Sequence, residues 1–120
     1  MTLEGLPRAW RIARASEIRA VVSKGQRKHA RRIDIFWRPS RSGHARLGLV
    51  VPRYGATAVA RNRLRRRIRE LARRRILPQM GAVDLVLRPT ASAYRAAFPD
   101  LAIDLEEWLR SLADSRDGRG

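Results

Sequence analysis

Residues 59–76 read VARNRLRRRIRELARRRI, and nine of the fifteen positions from Arg61 to Arg75 are arginine. At about 100° per residue, the apolar side chains of a helix over this stretch fall within an arc of roughly 120°; they are Ala60, Leu64, Ile68, Leu71 and Ala72. A second arc of roughly 100°, centred nearly opposite, collects polar side chains; it holds Asn62, Arg65, Arg66, Arg69 and Arg73, flanked by Arg63 and Arg74. The stretch therefore predicts a helix that buries one face in a core and presents cations on the other.

Two side chains of this helix do not belong plainly to either face. Arg61 lies near the border of the buried arc, so we expect it either to reach around that border or to bond to a carboxylate or carbonyl within the fold. Glu70 is the only acid in the helix, and a pair with Arg66 or Arg74 would contribute a few tenths of a kcal/mol. That is too little to offset the repulsion among the arginines, so the cationic face predicts a polyanionic partner rather than a solvated surface.

The charge of the whole chain points the same way. The 120 residues carry a net charge of +16, and 25 of the 27 cations are arginine. Residues 1–99 hold 24 Lys/Arg against five acids, and residues 100–120 hold three Arg against six acids. Nucleic acid, an acidic membrane surface or an acidic protein could each meet this charge. Arginine's planar fork favours phosphate and bases, although a genome that favours arginine codons would also raise the arginine share.

Several classes of protein are excluded. The chain has no cysteine, so disulfides, thiolate metal sites and a cysteine nucleophile are absent. No run of 18 apolar residues predicts a membrane span, and the N-terminus lacks the pattern of a secretory signal, so we expect a cytoplasmic protein. His29 and His44 have no evident carboxylate partner in the sequence, and the adjacent Glu106 and Glu107 cannot face one site. We therefore predict no catalytic residue and no metal ligand in this chain.

Three apolar stretches predict β-strands, bounded by turn-forming residues. They are residues 31–38, 45–53 and 82–89. In the first, Ile33, Ile35 and Trp37 alternate with Asp34, Phe36 and Arg38. Pro52 cannot donate to a sheet, so the second strand should end there or lie at an edge.

Helices are predicted on both sides of these strands. Residues 16–24 form a short helix with Ser16 as its cap, and Gly25 can end it. The helix of 59–76 extends to about residue 57, where Thr57 can cap it. A last helix begins near Asp100, and its apolar stripe contributes to the core.

The order of these elements is typical of a single α+β domain over residues 1–120, with the helices on one face of a small sheet. The C-terminal segment 114–120, DSRDGRG, is polar and is expected to be disordered.

The sequence ARNRLRRRIRE at residues 60–70 resembles the motif helix of the protein component of bacterial ribonuclease P. Other segments are similar to that family in the same order, namely LPRAWRI, SEIRAVVSKG, RLGLVVPR and DLVLRP. The resemblance implies a small two-layer α/β sandwich of the ribosomal S5 domain 2-like fold, with a mixed sheet and a left-handed crossover. It further implies a subunit that binds a catalytic RNA and the 5′ leader of precursor tRNA. The RNA would carry the Mg²⁺-dependent chemistry, and no obligate protein partner is implied.

Residue roles follow from the resemblance by position. The RNA-binding residues it implies are Arg53, Arg61, Asn62, Arg63, Arg65, Arg66 and Arg69, and Arg73 is added to them because it lies on the same cationic arc. The leader-binding cleft it implies comprises Ile18, Val22, Phe36 and Arg88. Tyr54 is added to this cleft, although it stands where the family usually has the second basic residue of a pair. The family commonly has phenylalanine where this chain has Ile18 and Val22, so these two could equally be core residues. Stacking on leader bases is then expected from Phe36, with help from Trp37 or Tyr54.

Two other functions, structural RNA binding and catalysis by the protein alone, are less consistent with the sequence. A structural RNA-binding protein of ribosomal type would share the charge, and the Arg-Asn-Arg helix with its preceding strand argues against it. A protein-only nuclease would need a general base, a general acid or clustered carboxylates, which the sequence does not place together.

Overall fold

The computed structural model describes residues 7–118. Its main elements, in chain order, are α1 (Ala15–Lys24), β1 (Gln26–His29), β2 (Ile33–Pro39), β3 (Arg46–Leu49), α2 (Ala58–Leu71), β4 (Val83–Pro89) and α3 (Phe98–Gly118). Short helical turns cover Arg8–Trp10, Leu77–Gln79 and Ala91–Arg95, and a π-helical turn, Ala72–Ile76, continues α2. The α+β class predicted from the sequence is confirmed.

The four strands form one mixed sheet in the order β1-β2-β4-β3. The β1–β2 and β2–β4 pairs are antiparallel, whereas β3 and β4 are parallel, so α2 lies in the crossover between them. Arg11 continues the sheet beyond β3 through a parallel bridge to Leu47. The strand predicted over residues 45–53 corresponds to β3, which ends at Leu49, before Pro52, and is the last strand on its side of the four-stranded sheet. The left hand of the crossover stays a prediction.

One face of the sheet carries the larger core. Ile33 and Ile35 of β2 and Leu85 and Leu87 of β4 are fully buried beneath α2 and α3. Trp108 of α3 packs edge-on against Trp37 of β2, with ring centroids 5.0 Å apart. The prediction that Trp108 and its helix contribute core is therefore confirmed. The helices α2 and α3 lie on the same face of the sheet, as expected.

The opposite face is covered by α1, which corrects the prediction that the helices share one face. Phe36 and Val86 point away from the larger core because side chains alternate along a strand, and they form a second cluster with Val21 of α1 and Ile12. The alternation in β2 places Phe36 on the outer face of the sheet, where its apolar ring would meet water. Helix α1 covers this face and buries the ring in the second cluster.

Of the two predicted helix caps, that of α2 is confirmed and that of α1 is wrong, and strand β1 is not predicted. Thr57 caps α2, because its hydroxyl accepts a hydrogen bond from the Ala60 amide at 3.1 Å. Ser16 does not cap α1: the helix begins at Ala15, and the residue before it, Arg14, makes no side-chain cap. Strand β1 is not predicted, because its four residues are all exposed and show no apolar alternation.

The segment 114–120, expected to be disordered, is helical as far as Gly118, since no glycine or proline between Asp100 and Asp117 stops the helix. Residues 119–120 lie outside the described residues. Within the described part, no helix combines the length and hydropathy needed to cross a membrane.

Candidate nucleic-acid interface

The helix α2 presents its cations because its apolar face is fixed in the core. Leu64, Ile68 and Leu71 are buried, as the helical periodicity predicts, while Ala60 is only half-buried. The side chains of Asn62, Arg63, Arg66 and Arg67 are exposed, and those of Arg65 and Arg69 are half-buried. The predicted division of the helix into a buried face and a cationic face is therefore confirmed.

Arg61 anchors the start of α2 to the end of the β3 segment. Its Nε donates a 2.6 Å hydrogen bond to the carbonyl oxygen of Val51, which is buried. This confirms one of the two positions expected for Arg61, a bond to a carbonyl within the fold. Since one of its donors is engaged there, the side chain holds the helix on the sheet while its other donors stay available to a ligand.

The middle of α2 is crowded with positive charge. The pKa of Arg69 is lowered by burial first, and then by the nearby charges of Arg11, Arg65 and Arg66. Glu70 acts in the opposite sense but is the last and smallest contribution. Arg65 adds a buried Nε atom that has no hydrogen-bond partner. The charges of the three neighbouring arginines thus act unfavourably on Arg69, and an anionic ligand would relieve that repulsion.

Arg11 belongs to this cluster although the sequence did not mark it as a site residue. The peptide that follows it is held at the sheet edge, where the Ile12 amide donates to the Leu47 carbonyl oxygen at 2.9 Å. This pairing brings the N-terminal segment alongside β3 and therefore places Arg11 close enough to lower the pKa of Arg69. Only the tertiary pairing carries this information, because Arg11 lies about fifty residues from α2 in the sequence.

At the end of α2, Glu70 neutralises part of the charge. Its carboxylate accepts hydrogen bonds from Arg73 at 2.8 and 3.1 Å and lies 2.9 Å from the Nε of Arg74. The pKa of Glu70 is lowered, chiefly by the hydrogen bond from Arg73. Of the two partners predicted for Glu70, Arg74 is confirmed and Arg66 is not. Arg73, predicted to bind RNA from its place on the cationic arc, thus shares its charge with Glu70.

The expected stacking role of Phe36 is wrong. Its side chain is 1% exposed, and the guanidinium carbon of Arg88 lies 5.0 Å from its ring centroid. Helix α1 and Arg88 therefore leave no open face of the ring for a base. Ile18 and Val22 are half-buried and pack against the same cluster, so they form the wall between α1 and the sheet.

Polar groups surround this cluster on the α1 face. Arg88 donates to Asp34 at 3.3 Å, and the other oxygen of Asp34 lies 2.7 Å from Nδ1 of His29. The register of β1 and β2 pairs His29 with Asp34, so His29 does have a carboxylate partner, contrary to the sequence prediction. Arg27 is exposed on the same face, opposite Phe36 in the register.

Tyr54 is the exposed aromatic side chain among the predicted cleft residues. It is 54% exposed and adopts a positive φ of 50°. Its hydroxyl donates to the Pro89 carbonyl oxygen at 3.5 Å, and its ring meets that of Tyr94 edge-on at 6.5 Å. Tyr54 therefore lies beside the end of β4, where Pro89 follows Arg88. Its neighbour in the chain, Arg53, is exposed.

Known proteins with the same fold and sequence pattern are numerous. The family model for ribonuclease P matches residues 6–113. The ribonuclease P protein component of Acidothermus cellulolyticus is 31% identical over 117 residues, which cover 96% of this chain and 98% of the relative. That of a Nocardioides species is 34% identical over 107 residues, covering 87% and 92%.

Two solved structures share the fold. The RNase P protein from Thermotoga maritima superimposes with a TM-score of 0.74 at 24% identity, covering 84% of this chain and 96% of that one. The RNase P protein of Staphylococcus aureus superimposes with a TM-score of 0.76 at 23% identity, covering 88% and 96%.

A small α+β domain that presents a helix crowded with arginines is typical of basic nucleic-acid-binding proteins. Within that class, the chain belongs to the ribonuclease P protein component family, whose model spans most of its length.

Proposed function

We propose that this protein is the RNA-docking and leader-binding subunit of ribonuclease P, in which an RNA subunit carries the Mg²⁺-dependent hydrolysis that releases the 5′ leader of precursor tRNA. The observation that carries this proposal is the cluster of Arg11, Arg65, Arg66 and Arg69, where burial first and then the neighbouring positive charges lower the pKa of Arg69. Family membership supports the identity of the RNA. Such a subunit acts in the cytoplasm, where bacterial precursor tRNA is processed.

Docking on the catalytic RNA is assigned to α2. Its exposed Asn62, Arg63 and Arg66 offer an amide and two guanidinium forks to the phosphate backbone. Arg61 keeps the start of the helix in place through Val51. Every phosphate that the helix neutralises releases counterions, so the affinity should fall steeply with salt concentration.

The leader is assigned to the α1 face of the sheet and the adjoining end of β4. Arg88 and the exposed Arg27 supply cations for its phosphates, and Ile18 and Val22 supply an apolar wall. Because the ring of Phe36 is buried, the stacking role passes to Tyr54, and the exposed Arg53 beside it contributes charge.

The chemistry is assigned to the RNA because four of the buried or half-buried acids of the described chain already serve the fold, and no group of three or more His, Asp or Glu side chains among the described residues could hold a metal ion. Asp84 is paired with Arg46, Asp104 with Arg32, and Glu70 with Arg73 and Arg74. Asp34 is shared between His29 and Arg88. A carboxylate held in such a pair is poorly suited to bind a metal ion or to accept a proton during catalysis.

Reconstitution tests the proposal. The purified protein is mixed with a bacterial ribonuclease P RNA and a leader-bearing precursor tRNA at a Mg²⁺ concentration at which the RNA alone is inactive. Cleavage at the mature 5′ end that requires both components is the expected result. Cleavage by the protein alone would overturn the assignment of chemistry to the RNA. Binding without activation, where another family member activates the same RNA, would favour a structural RNA-binding role.

Variants separate the two surfaces. Arg66→Glu should weaken binding to the RNA subunit and reduce its salt dependence, whereas Arg110→Glu, an exposed arginine on α3, makes the same charge change outside the proposed interface. Tyr54→Asn removes the ring at a positive φ that asparagine tolerates. It should weaken binding of precursor tRNA with a long leader by about 5- to 150-fold and leave binding of mature tRNA unchanged.

A further inference from the structure

A pocket lined by aromatic and basic side chains lies at the C-terminal end of α2, and of the residues predicted to bind RNA only Arg73 lines it. It is a pocket of about 680 Å³ between the N-terminal segment, the loop before β3 and the chain that follows α2. Trp10, His44 and Arg73 supply its aromatic and cationic side chains, and Leu77 and Met80 supply apolar ones. The volume falls within the range of about 300–1,000 Å³ that is usual for small-ligand sites.

Trp10 is unusual among the tryptophans of the chain. Its side chain is 37% exposed, whereas Trp108 is 3% exposed and packs against the half-buried Trp37 in the core. An exposed indole costs hydration free energy and contributes little to folding. Its exposure at a pocket therefore points to a ligand with an apolar, planar face.

The indole is held in place by the backbone around it. The Trp10 amide donates to the Pro7 carbonyl oxygen at 2.9 Å, and the Ile12 amide donates to that of Leu47 at 2.9 Å. Nε2 of His44 lies 2.8 Å from the Ala9 carbonyl oxygen, and its ring meets the indole at 4.9 Å with a tilt of 41°. These contacts order the aromatic pair before any ligand binds, which lowers the entropic cost of binding.

The charge around the pocket is continuous with the cationic face of α2. Arg73 lines the pocket and lies one helical turn from Arg69 on α2. Arg11, adjacent to Trp10 in the chain, acts electrostatically on Arg69. A ligand in the pocket would therefore be attached to the same polyanion that α2 meets. An apolar peptide or a lipid tail would gain nothing from these cations.

We propose that this pocket binds a single unpaired nucleobase of the RNA on which α2 docks, stacked on Trp10, with its phosphate towards Arg73. The inference rests on the proposed function and adds a contact to it. Stacking uses the face of the base and hence tolerates different bases. Stacking on Trp10 thus adds affinity that does not depend on counterion release, in contrast to the arginines of α2.

Three variants of the full-length protein test this contact with a bacterial ribonuclease P RNA transcript. Trp10→Ala should weaken RNA binding by about 5- to 150-fold while the slope of log affinity against log salt stays unchanged. Trp10→Phe keeps an aromatic face and should bind within about threefold of the wild type. Trp10→Leu keeps apolar volume without a π-face, so it should resemble Trp10→Ala. Circular dichroism and thermal melting check that each variant is folded.

Tryptophan fluorescence provides an independent readout. A base stacked on Trp10 should quench part of the wild-type emission when the RNA is added, and Trp10→Phe should lack that part. Wild-type affinity of Trp10→Ala or Trp10→Leu would overturn the proposal, as would quenching that persists unchanged in Trp10→Phe.

Arg66→Glu distinguishes a failure of the nucleobase pocket from a failure of RNA docking by α2. If Arg66→Glu loses affinity while Trp10→Ala does not, the docking of α2 stands and the nucleobase pocket is refuted. If neither variant affects binding, the RNA-docking role of α2 fails together with the pocket.

Discussion

Arg46 and Asp84 meet through two parallel hydrogen bonds, from Nε to Oδ1 and from Nη2 to Oδ2, each 2.9 Å long. The carboxylate is almost fully buried, with 6% of its side chain exposed, and Arg46 is 19% exposed. Nη2 of Arg46 also donates to Glu17 of α1 at 3.2 Å. The hydrogen bond to Asp84 is the main reason that the pKa of Arg46 is raised. Together with Glu17, the pair thus joins β3, β4 and α1, and α1 and β4 contribute residues to the proposed leader surface.

Asp84→Asn should destabilise the fold strongly. Removing one member of a buried ion pair costs about 3–5 kcal/mol, and the partial exposure of Arg46 favours the lower end of that range. Glu17→Gln is the matched control, because Glu17 is 40% exposed and an exposed pair contributes about 0–1 kcal/mol. Urea denaturation at neutral pH measures both. Equal losses in the two variants would show that Asp84 is not the central partner.

Gly25→Ala should also destabilise the protein, because Gly25 joins α1 to β1 where the backbone of α1 and that of β2 approach it closely. A Cβ atom at Gly25 would lie 2.6 Å from the carbonyl oxygens of Trp37 and Val21, both backbone atoms. Overpacking of this kind costs about 1–3 kcal/mol. At Gly81 the same substitution meets nothing within 4 Å, so Gly81→Ala should be neutral or slightly stabilising. Thermal melting of both variants checks the contrast, and similar losses would contradict it.

The pairing of Glu70 with Arg73 and Arg74 predicts a dependence of stability on pH. The pKa of Glu70 is lowered in the folded protein. Its contribution is therefore present above the pKa of the unfolded chain and is lost as the pH falls through the folded pKa. Since the pair is partly exposed, we expect Glu70→Gln to cost a few tenths of a kcal/mol at pH 7. The difference from the wild type should vanish in acid, and a difference that grows as the pH falls would refute this account.

The sequence could predict the elements whose patterns are local. The burial of Leu64 and Ile68 follows from helical periodicity, and the cap at Thr57 follows from its position before the helix. The carbonyl bond of Arg61 was one of two predicted outcomes, because its angle on the helix places it at the border of the core.

Features that depend on tertiary pairing could not be predicted. Strand β1 is polar and exposed, and its extended conformation comes from its pairing with β2. Phe36 lies on the outer face by alternation, and only the packing of α1 makes that face a second core. Arg11 reaches the α2 cluster through a bridge to Leu47. Each of these contacts joins segments that no local pattern relates.

Arg69→Gln should stabilise the free fold and weaken its binding to RNA. In the free protein, burial and the charges of Arg11, Arg65 and Arg66 disfavour the protonated guanidinium of Arg69. Replacing it with neutral glutamine, which keeps part of the apolar stem, should therefore stabilise the free fold by about 0.5–1 kcal/mol, since like charges one turn apart cost about 0.2–0.5 kcal/mol per pair. Urea denaturation of the free protein measures this gain.

The same variant should bind the RNA subunit less well, with the magnitude of its salt slope reduced by about one, because one phosphate contact is lost. Arg110→Gln, at an exposed position on α3, should change neither quantity by a comparable amount. Salt titrations of RNA binding beside the denaturation curves test both halves of the prediction. If Arg69→Gln loses stability and keeps its affinity, Arg69 supports the fold rather than the interface, and the crowding of cations on α2 is not what RNA binding relieves.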